Sequence, residues 1–269
     1  MIKNLVIGSE GFVGKSLCKF LEQKGEKVNR FDIKRGKNED GRTAILPLSE
    51  IDRVYFLAWE VGGAKYLYRE NTQLFQLNWN VDLLTNVMLQ LQKSKTPFIF
   101  TSSQLAEEID TVYGATKRLG ELWTQQINGA CIRLWNIYGA LEEINEKSHV
   151  AGDFVNQALT AGEIRMMTTG EEKRQFIHIN DACEGFHYIM ENNLNNAIYD
   201  LTSFEWSSIR EIADLIAKYT NAKVIPGTKE GKTRSITATK GKPYGWQAKI
   251  NLEEGIKMMV NEAKLNKNS

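Results

Sequence analysis

The first half of the chain alternates short apolar runs with longer segments of helical period. NLVIG leads into FVGKSLCKFLEQKG, and KVNRFD follows. VYFLAW leads into a long stretch from Asn71 to Gln92, PFIFTSS into TKRLGELWTQQING, and ACIRLWNIYG closes the half. Short apolar runs of this kind, punctuated by helices, predict parallel strands covered on both faces. The pattern is that of an α/β protein with a Rossmann-type, doubly wound parallel sheet. Gly25 and Gly129 end the first and the TKRL helical segments, where a left-handed residue is expected to terminate each helix.

After Gly139 the pattern loosens through EEINEKSHVAGDFVNQALTAGE. It resumes with a strand-like QFIHI, a helix from Asp181 to Asn192 and AIYDLTS. A helix from Ser207 to Tyr219, a Gly- and Lys-rich segment from Gly227 to Lys242 and a terminal helix from Leu252 complete the chain. The expected organisation is a dinucleotide-binding domain over residues 1–140 and 176–203, with a smaller α/β substrate-binding lobe from 141–175 and 204–269. There is no internal repeat at periods of 20 to 50 residues.

Composition narrows the function classes. The 269 residues are 42% hydrophobic and 25% charged, the proportions of a globular protein, which argues against disorder and collagen-like repeats. Against 34 Lys and Arg stand 33 Asp and Glu, a net charge of +1, and no basic stretch offers a nucleic-acid surface. Cys18, Cys131 and Cys183 are scattered without a CxxC pair, so free thiols are expected and no metal site. No apolar run is long enough to span a membrane, and MIKNLVIGSEG lacks the apolar core of a signal peptide. A cytoplasmic enzyme without membrane association is expected.

Gly8, Gly11 and Gly14, spaced G-x-x-G-x-x-G between the first strand and helix, suit a tight turn that brings backbone close to a pyrophosphate at a helix N-terminus. Asp32 ends the second strand 18 residues after Gly14, where a carboxylate can accept both hydroxyls of an adenosine ribose. A carboxylate there repels a 2′-phosphate and favours NAD over NADP, although Lys34 and Arg35 follow directly. Tyr113 and Lys117, in YGATK, share a helix face four residues apart. A phenol with a pKa of about 10 needs roughly 4 kcal/mol of preferential phenolate stabilisation to act as a base near neutrality. A neighbouring ammonium supplies part of it. Ser103, at the end of PFIFTSS, faces the same sheet edge and can hydrogen-bond a substrate oxygen.

These residues, in this order, resemble the extended short-chain dehydrogenase/reductases of the NAD-dependent epimerase/dehydratase family, which remodel nucleotide-linked sugars. FLAW (Phe56 to Trp59) stands where the family often has HLAA. RLWNIYG, RQFIHIND and the YGW…NLEEG ending are similar to further family segments, so the likeness covers nearly the whole chain. The resemblance implies catalytic roles for Ser103, Tyr113 and Lys117, with Asn80 supporting the lysine through its helix. It implies cofactor contacts from Gly8, Gly11, Phe12, Val13, Gly14, Asp32, Leu57, Ala58, Asn80, Tyr113 and Lys117. Asn136, Arg174 and Arg234 are then substrate-binding residues near the nucleotide diphosphate, the last without the Asp that usually follows. A homodimer through the long helix and the YxxxK helix is implied as well.

The shared chemistry of these relatives is hydride transfer, most often at the sugar C4, with the tyrosine as base. The 4,6-dehydratases carry Asp and Glu after the catalytic hydroxyl, whereas Gln104 and Leu105 stand here, which disfavours dehydration. VGG (Val61 to Gly63) and SHV (Ser148 to Val150) are similar to a GDP-sugar branch, so His149 becomes a candidate proton donor or acceptor near C3 or C5. A GDP-, UDP- or dTDP-linked sugar is the expected substrate, undergoing C4 epimerisation, oxidation or reduction. A reductase of a small non-sugar carbonyl compound and a catalytically silent dinucleotide sensor stay open as alternatives. Two segments are short for the family: 23 residues separate Asp32 from Phe56, and nine separate Ser103 from Tyr113. The first trims the adenine side, and the second removes a loop that often covers the sugar.

Overall fold

The computed structural model describes residues 1–62, 64–67, 69–139, 148–233 and 236–267. The first half is built from β1 (Lys3–Ile7), α1 (Phe12–Gln23), β2 (Lys27–Phe31), β3 (Arg53–Phe56), α2 (Ala64–Leu67) and α3 (Gln73–Ser94). It continues through β4 (Phe98–Ser103), α4 (Val112–Gln126) and β5 (Ala130–Leu134). All six residues of β4 are buried, as an apolar run covered from both faces requires. The remaining elements are β6 (Asn136–Tyr138), α5 (Val150–Ala161), β7 (Glu163–Arg165), β8 (Lys173–His178), α6 (Ile179–Glu191) and β9 (Ile198–Leu201). After them come β10 (Trp206–Ser208), α7 (Ile209–Thr220), β11 (Lys223–Ile225) and α8 (Leu252–Lys267).

The main sheet runs β2-β1-β3-β4-β5-β9, with every pairing parallel. Only one strand lies outboard of β1, whereas the six-strand order 3-2-1-4-5-6 carries two. Between β2 and β3 the chain makes two short 3₁₀ turns, Ile33–Arg35 and Lys37–Glu39, and then runs extended. Leu46 and Ile51 from this stretch pack under α3 with Leu83, Val87 and Met88. Too few residues separate Asp32 from Phe56 for another strand and crossover helix, so one edge unit is missing.

Two helical layers sandwich the sheet. Leu17, Leu21, Phe186 and Ile189 of α1 and α6 pack with Val6, Tyr55, Ile99 and Ile132 on one face. On the other, Leu84, Val87 and Leu91 of α3 meet Leu5, Phe56 and Phe100. At roughly 1.5–3 kcal/mol per fully buried large apolar side chain, these layers are the main source of the half's stability. No helix among the described residues is long and apolar enough to cross a membrane.

The run ACIRLWNIYG divides at Trp135. Its first part is β5 in the main sheet, and its second part, β6, pairs with β8 in a separate β10-β8-β6 sheet. The smaller lobe has its own core, in which Phe154, Ile164, Phe176, Ile212, Ile216 and Met259 bring α5, α7 and α8 together. The QFIHI strand thus pairs in the smaller sheet, while its Ile177 and Ile137 of β6 pack into the core of the main layers together with Ile179 and Phe186 of α6. The segment expected to be loose also contains α5, whose left-handed terminus is Gly162 at φ 69°.

One helix terminus departs from expectation. After α4 the left-handed residue is Asn128, at φ 58°, and Gly129 is absent from the positive-φ positions. Gly129 is required for packing instead, since a Cβ there would sit 2.3 Å from Cζ of Phe98. Asn tolerates the left-handed region, so the cap moves one residue earlier.

His178 precedes α6, and its Nδ1 accepts the Asn180 backbone N–H at 3.3 Å, capping the helix. Burial pushes its pKa down to about 4. The unfolded chain titrates near 6.5, so between these values the unfolded state binds more protons and stability falls as pH drops. The wild-type urea midpoint should decline from pH 6.5 to pH 4, with about 3 kcal/mol at most attributable to this group. His178→Asn, which retains a capping oxygen without titrating, should flatten that decline; an unchanged slope would remove His178 as its source.

Candidate active site

The glycine loop is a close-packed turn. Gly8 has φ +94°, and a Cβ on it would lie 2.5 Å from the Ala58 nitrogen. A Cβ on Gly14 would fall 2.0 Å from the Gly8 carbonyl oxygen, so α1 can approach β1 only with hydrogen at that position. The Ile7 carbonyl accepts N–H bonds from both Leu57 and Ala58 at 2.8 Å, fixing the loop against the end of β3. No side chain caps α1 and no acidic residue occupies its first turn, which leaves the helix N-terminus suited to an anion.

Asp32 is 9% exposed at the end of β2. Its carboxylate accepts the Glu10 N–H at 3.0 Å and the Lys34 N–H at 2.9 Å, while its own N–H donates to Glu39 at 2.9 Å. Arg35 lies 3.6 Å from the Glu10 carboxylate and 3.2 Å from that of Glu39. At this end Gly41 is pressed onto α3, and the Arg42 guanidinium stacks 3.4 Å from the Trp79 ring centroid while pairing with Asp40 at 2.6 Å. The short β2–β3 connection therefore still supplies a wall for the adenine side.

These features line one cleft of about 730 Å³ along the C-terminal edge of the sheet. Gly8, Gly11, Phe12, Val13, Gly14 and Asp32 form one end, with Leu57 and Ala58 beside them. Ser103, Tyr113 and Lys117 contribute to the same cleft, as do Asn136, His149 and Arg174. The glycine cradle, the uncapped helix and the ribose-side carboxylate fit a nicotinamide dinucleotide.

Ser103 Oγ accepts the Leu105 N–H at 3.2 Å and donates to Oε1 of its neighbour Gln104 at 3.4 Å. The Thr111 hydroxyl caps α4 through the Gly114 N–H at 3.0 Å, and two residues later Tyr113 is 9% exposed. Lys117 is 3% exposed; its Nζ donates to the Thr101 carbonyl at 2.6 Å and lies 4.0 Å from the Trp59 ring centroid and 5.9 Å from that of Tyr113. Burial pushes the Lys117 pKa well below that of an ordinary lysine, against the opposing field of the Glu121 carboxylate. Neither the Thr101 carbonyl nor Trp59 was a candidate on sequence grounds, although Trp59 stands where the family often has Ala.

Beneath this group lies a buried ionic network. Arg133 of β5 donates to both Glu121 oxygens, from Nε at 2.6 Å and Nη2 at 2.8 Å, and also pairs with Glu107. Ser102 donates to Glu121 at 2.7 Å and Arg118 at 2.8 Å. Burial pushes the Glu121 carboxyl up, but the Arg133, Ser102 and Arg118 donors outweigh it and hold it below the usual carboxylate range.

The substrate-side candidates are partly committed to the fold. Asn136 Nδ2 donates to the Gln175 carbonyl at 2.9 Å, and Arg174 donates to the carbonyls of Lys173 and Lys232 at 2.7 and 3.0 Å. The His149 ring stacks on Phe12 at 5.0 Å, beside the glycine loop, and immediately precedes α5. Arg234 and Gly63 lie outside the described residues. Asn80 is fully buried and is not a lining residue; its side chain accepts the Glu60 N–H at 2.8 Å and donates to the Glu60 carbonyl at 3.1 Å.

The sequence matches the model of the NAD dependent epimerase/dehydratase family over residues 4–201. The chain belongs to that family of extended short-chain dehydrogenase/reductase enzymes, whose cofactor is a nicotinamide dinucleotide. It is 24% identical to the UDP-N-acetyl-alpha-D-glucosaminuronate decarboxylase of Bacillus cytotoxicus, over 95% of this chain and 96% of that protein. Its fold is similar to that of the Thermotoga maritima UDP-glucose 4-epimerase with UDP-glucose, with a TM-score of 0.80, 20% identity and coverage of 98% and 99%. A GDP-6-OMe-4-keto-L-xylo-heptose reductase from C. jejuni superposes with a TM-score of 0.81, 17% identity and coverage of 98% of each chain.

Removing one partner of a buried ion pair leaves an uncompensated charge. Arg133→Met should lower stability by about 3–5 kcal/mol in urea unfolding. Adding Glu121→Leu should recover much of that loss. Equal stability of Arg133→Met and wild type would show that the network does not hold α4.

Proposed function

We propose that this protein is an NAD-dependent nucleotide-sugar epimerase or oxidoreductase that works at the sugar C4. The observation that supports this most directly is the convergence of Ser103, Tyr113 and Lys117 in the same cleft as the glycine loop and Asp32. Tyr113 takes the proton of the reacting hydroxyl, and Ser103 donates a hydrogen bond to that oxygen. Lys117 favours the phenolate through its charge. The nicotinamide, when bound, supplies the hydride acceptor or donor.

NAD is the preferred cofactor on this reading, because Glu10, Asp32 and Glu39 surround the ribose side and Arg35 is already shared between two of them. A 2′-phosphate would enter a field set by three carboxylates. For the substrate, Arg174 and Asn136 support a nucleotide diphosphate, whether GDP, UDP or dTDP. Dehydration across C5 and C6 is disfavoured, since Gln104 and Leu105 occupy the places of its acid and base and the nearby Glu107 is tied to Arg133. The backbone bonds of Asn136 and Arg174 favour one alternative, a small carbonyl substrate without a diphosphate. In that case Arg174→Ala would leave kcat/KM unchanged.

We also read the protein as a homodimer in the cytoplasm. The outer faces of α3 and α4 expose Leu74, Leu89, Leu119 and Leu122 at 69, 53, 42 and 46%, a stripe that a second copy would cover. Sedimentation should show a dimer for wild type and a monomer for Leu119→Lys/Leu122→Lys; a monomeric wild type would remove this part.

The main test uses NAD⁺ with a panel of UDP-, dTDP- and GDP-sugars, following 340 nm absorbance and product stereochemistry. Tyr113→Phe should bind NAD⁺ as wild type does, more tightly than NADP⁺, while turnover falls about 10²–10⁴-fold. Normal turnover in that variant would contradict the assigned base.

A further inference from the structure

The cleft contains a carboxylate that the hydride-transfer reading does not use. Glu60 follows β3 at the C-terminal edge of the sheet and lines the cleft. Its backbone N–H and C=O are both gripped by the fully buried Asn80 amide, twenty residues away in sequence. The Tyr66 hydroxyl, on a side chain 5% exposed, donates a short hydrogen bond to the Glu60 carboxylate. Backbone and side chain are thus both aimed by groups that are themselves withdrawn from solvent.

The neighbours of Glu60 place it at the phenol end. Trp59, its predecessor, packs over the Lys117 ammonium and joins Leu67, Leu105 and Tyr113 in one apolar cluster. Leu67, the residue after Tyr66, belongs to the same cluster. Glu60 is therefore bracketed by residues packed around the catalytic phenol, whereas His149 stacks on the glycine-loop Phe12.

We propose that Glu60 is an acid–base group that removes and returns the proton on the carbon beside a sugar ketone. The inference rests on the nucleotide-sugar reading. A C4 ketone acidifies the hydrogens on C3 and C5. The Glu60 carboxylate takes one of them, the C–H electron pair moves into the enolate, and the negative charge rests on the C4 oxygen beside Ser103 and Tyr113. The proton returns from the Glu60 carboxylic acid to the same face of the same carbon, and exchanges with water between the two steps. No oxidant is consumed. A single carboxyl can exchange the hydrogen at such a centre, but it does not supply the second group needed to expel a C6 hydroxyl, consistent with Gln104 and Leu105.

The probes are the 4-keto-6-deoxy sugars of dTDP, UDP and GDP, incubated with the protein in D₂O and followed by mass and NMR against an enzyme-free control. Wild type should place deuterium at C3 or C5 of at least one probe, with a rate that rises as a single carboxyl deprotonates. Glu60→Gln should lose at least about 100-fold in exchange and its pH dependence, with melting temperature and NAD⁺ affinity confirming an intact fold. Glu60→Asp should recover part of the rate. No wild-type exchange with any probe, exchange in Glu60→Gln at the wild-type rate, or exchange lost only in His149→Asn would each overturn the proposal. Reduction of the same ketones by NADH is scored separately. Exchange without reduction would leave Glu60 in place while defeating the hydride-transfer reading.

Discussion

Arg133 and Glu121 are both withdrawn from water, and the cost of that withdrawal is met only because each finds the other with bidentate geometry. The pair joins α4 to β5, and Ser102 adds a tie from α4 to β4. Tyr113 and Lys117 ride on α4, while Ser103 ends β4. The placement of Tyr113 and Lys117 relative to Ser103 therefore depends on an ionic lock that begins one helical turn beyond Lys117. Helix packing on Phe100 and Phe98 through Gly120 and Gly129 brings the helix close enough for that lock to form. Lys117 inherits a consequence, because it is buried next to the lock and feels the Glu121 charge.

The shortened β2–β3 connection shows how the fold tolerates loss at an edge. A strand outboard of β2 would have covered this end of the cleft, and its absence leaves that task to the Arg42–Trp79 stack and the turns around Asp32. These are held by hydrogen bonds from α3: Asn86 donates to the Gly41 and Ala44 carbonyls, and Gln90 closes on Ala44 and Leu46. Polar side chains on an otherwise apolar helix face substitute for sheet pairing. The position of the segment from Gly41 to Leu46 therefore depends on α3.

The sheet, its helices and the glycine loop were legible because their signals are local: apolar runs of strand length, glycines where a Cβ would strike backbone, a carboxylate at a strand end. Ser103, Tyr113 and Lys117 could be read because strand and helix termini bring them to one edge. The division of ACIRLWNIYG between two sheets was not legible, since a continuous apolar run carries no mark of the bend at Trp135. The α4 cap also escaped, because Gly129 answered to Phe98 and the left-handed conformation passed to Asn128. Side-chain commitments of Asn136, Arg174 and Asn80 depend on partners 20 to 58 residues away, which no spacing rule reveals.

Asn80 illustrates the point most sharply. The family likeness ties it to the lysine, but its side chain clasps the Glu60 peptide, and the direct acceptor of Lys117 is the Thr101 carbonyl. A buried amide that satisfies both backbone hydrogen-bonding groups of one residue leaves that residue little freedom to rotate. Trp59 is fixed by the same clasp, since it shares a peptide bond with Glu60, and through its ring the constraint reaches the ammonium. The position of the cation beside the phenol thus depends on α3 as well as on α4. Two adjacent helices of one layer thus set this part of the cleft, one clasping Glu60 beyond the β3 terminus and the other carrying Tyr113 and Lys117.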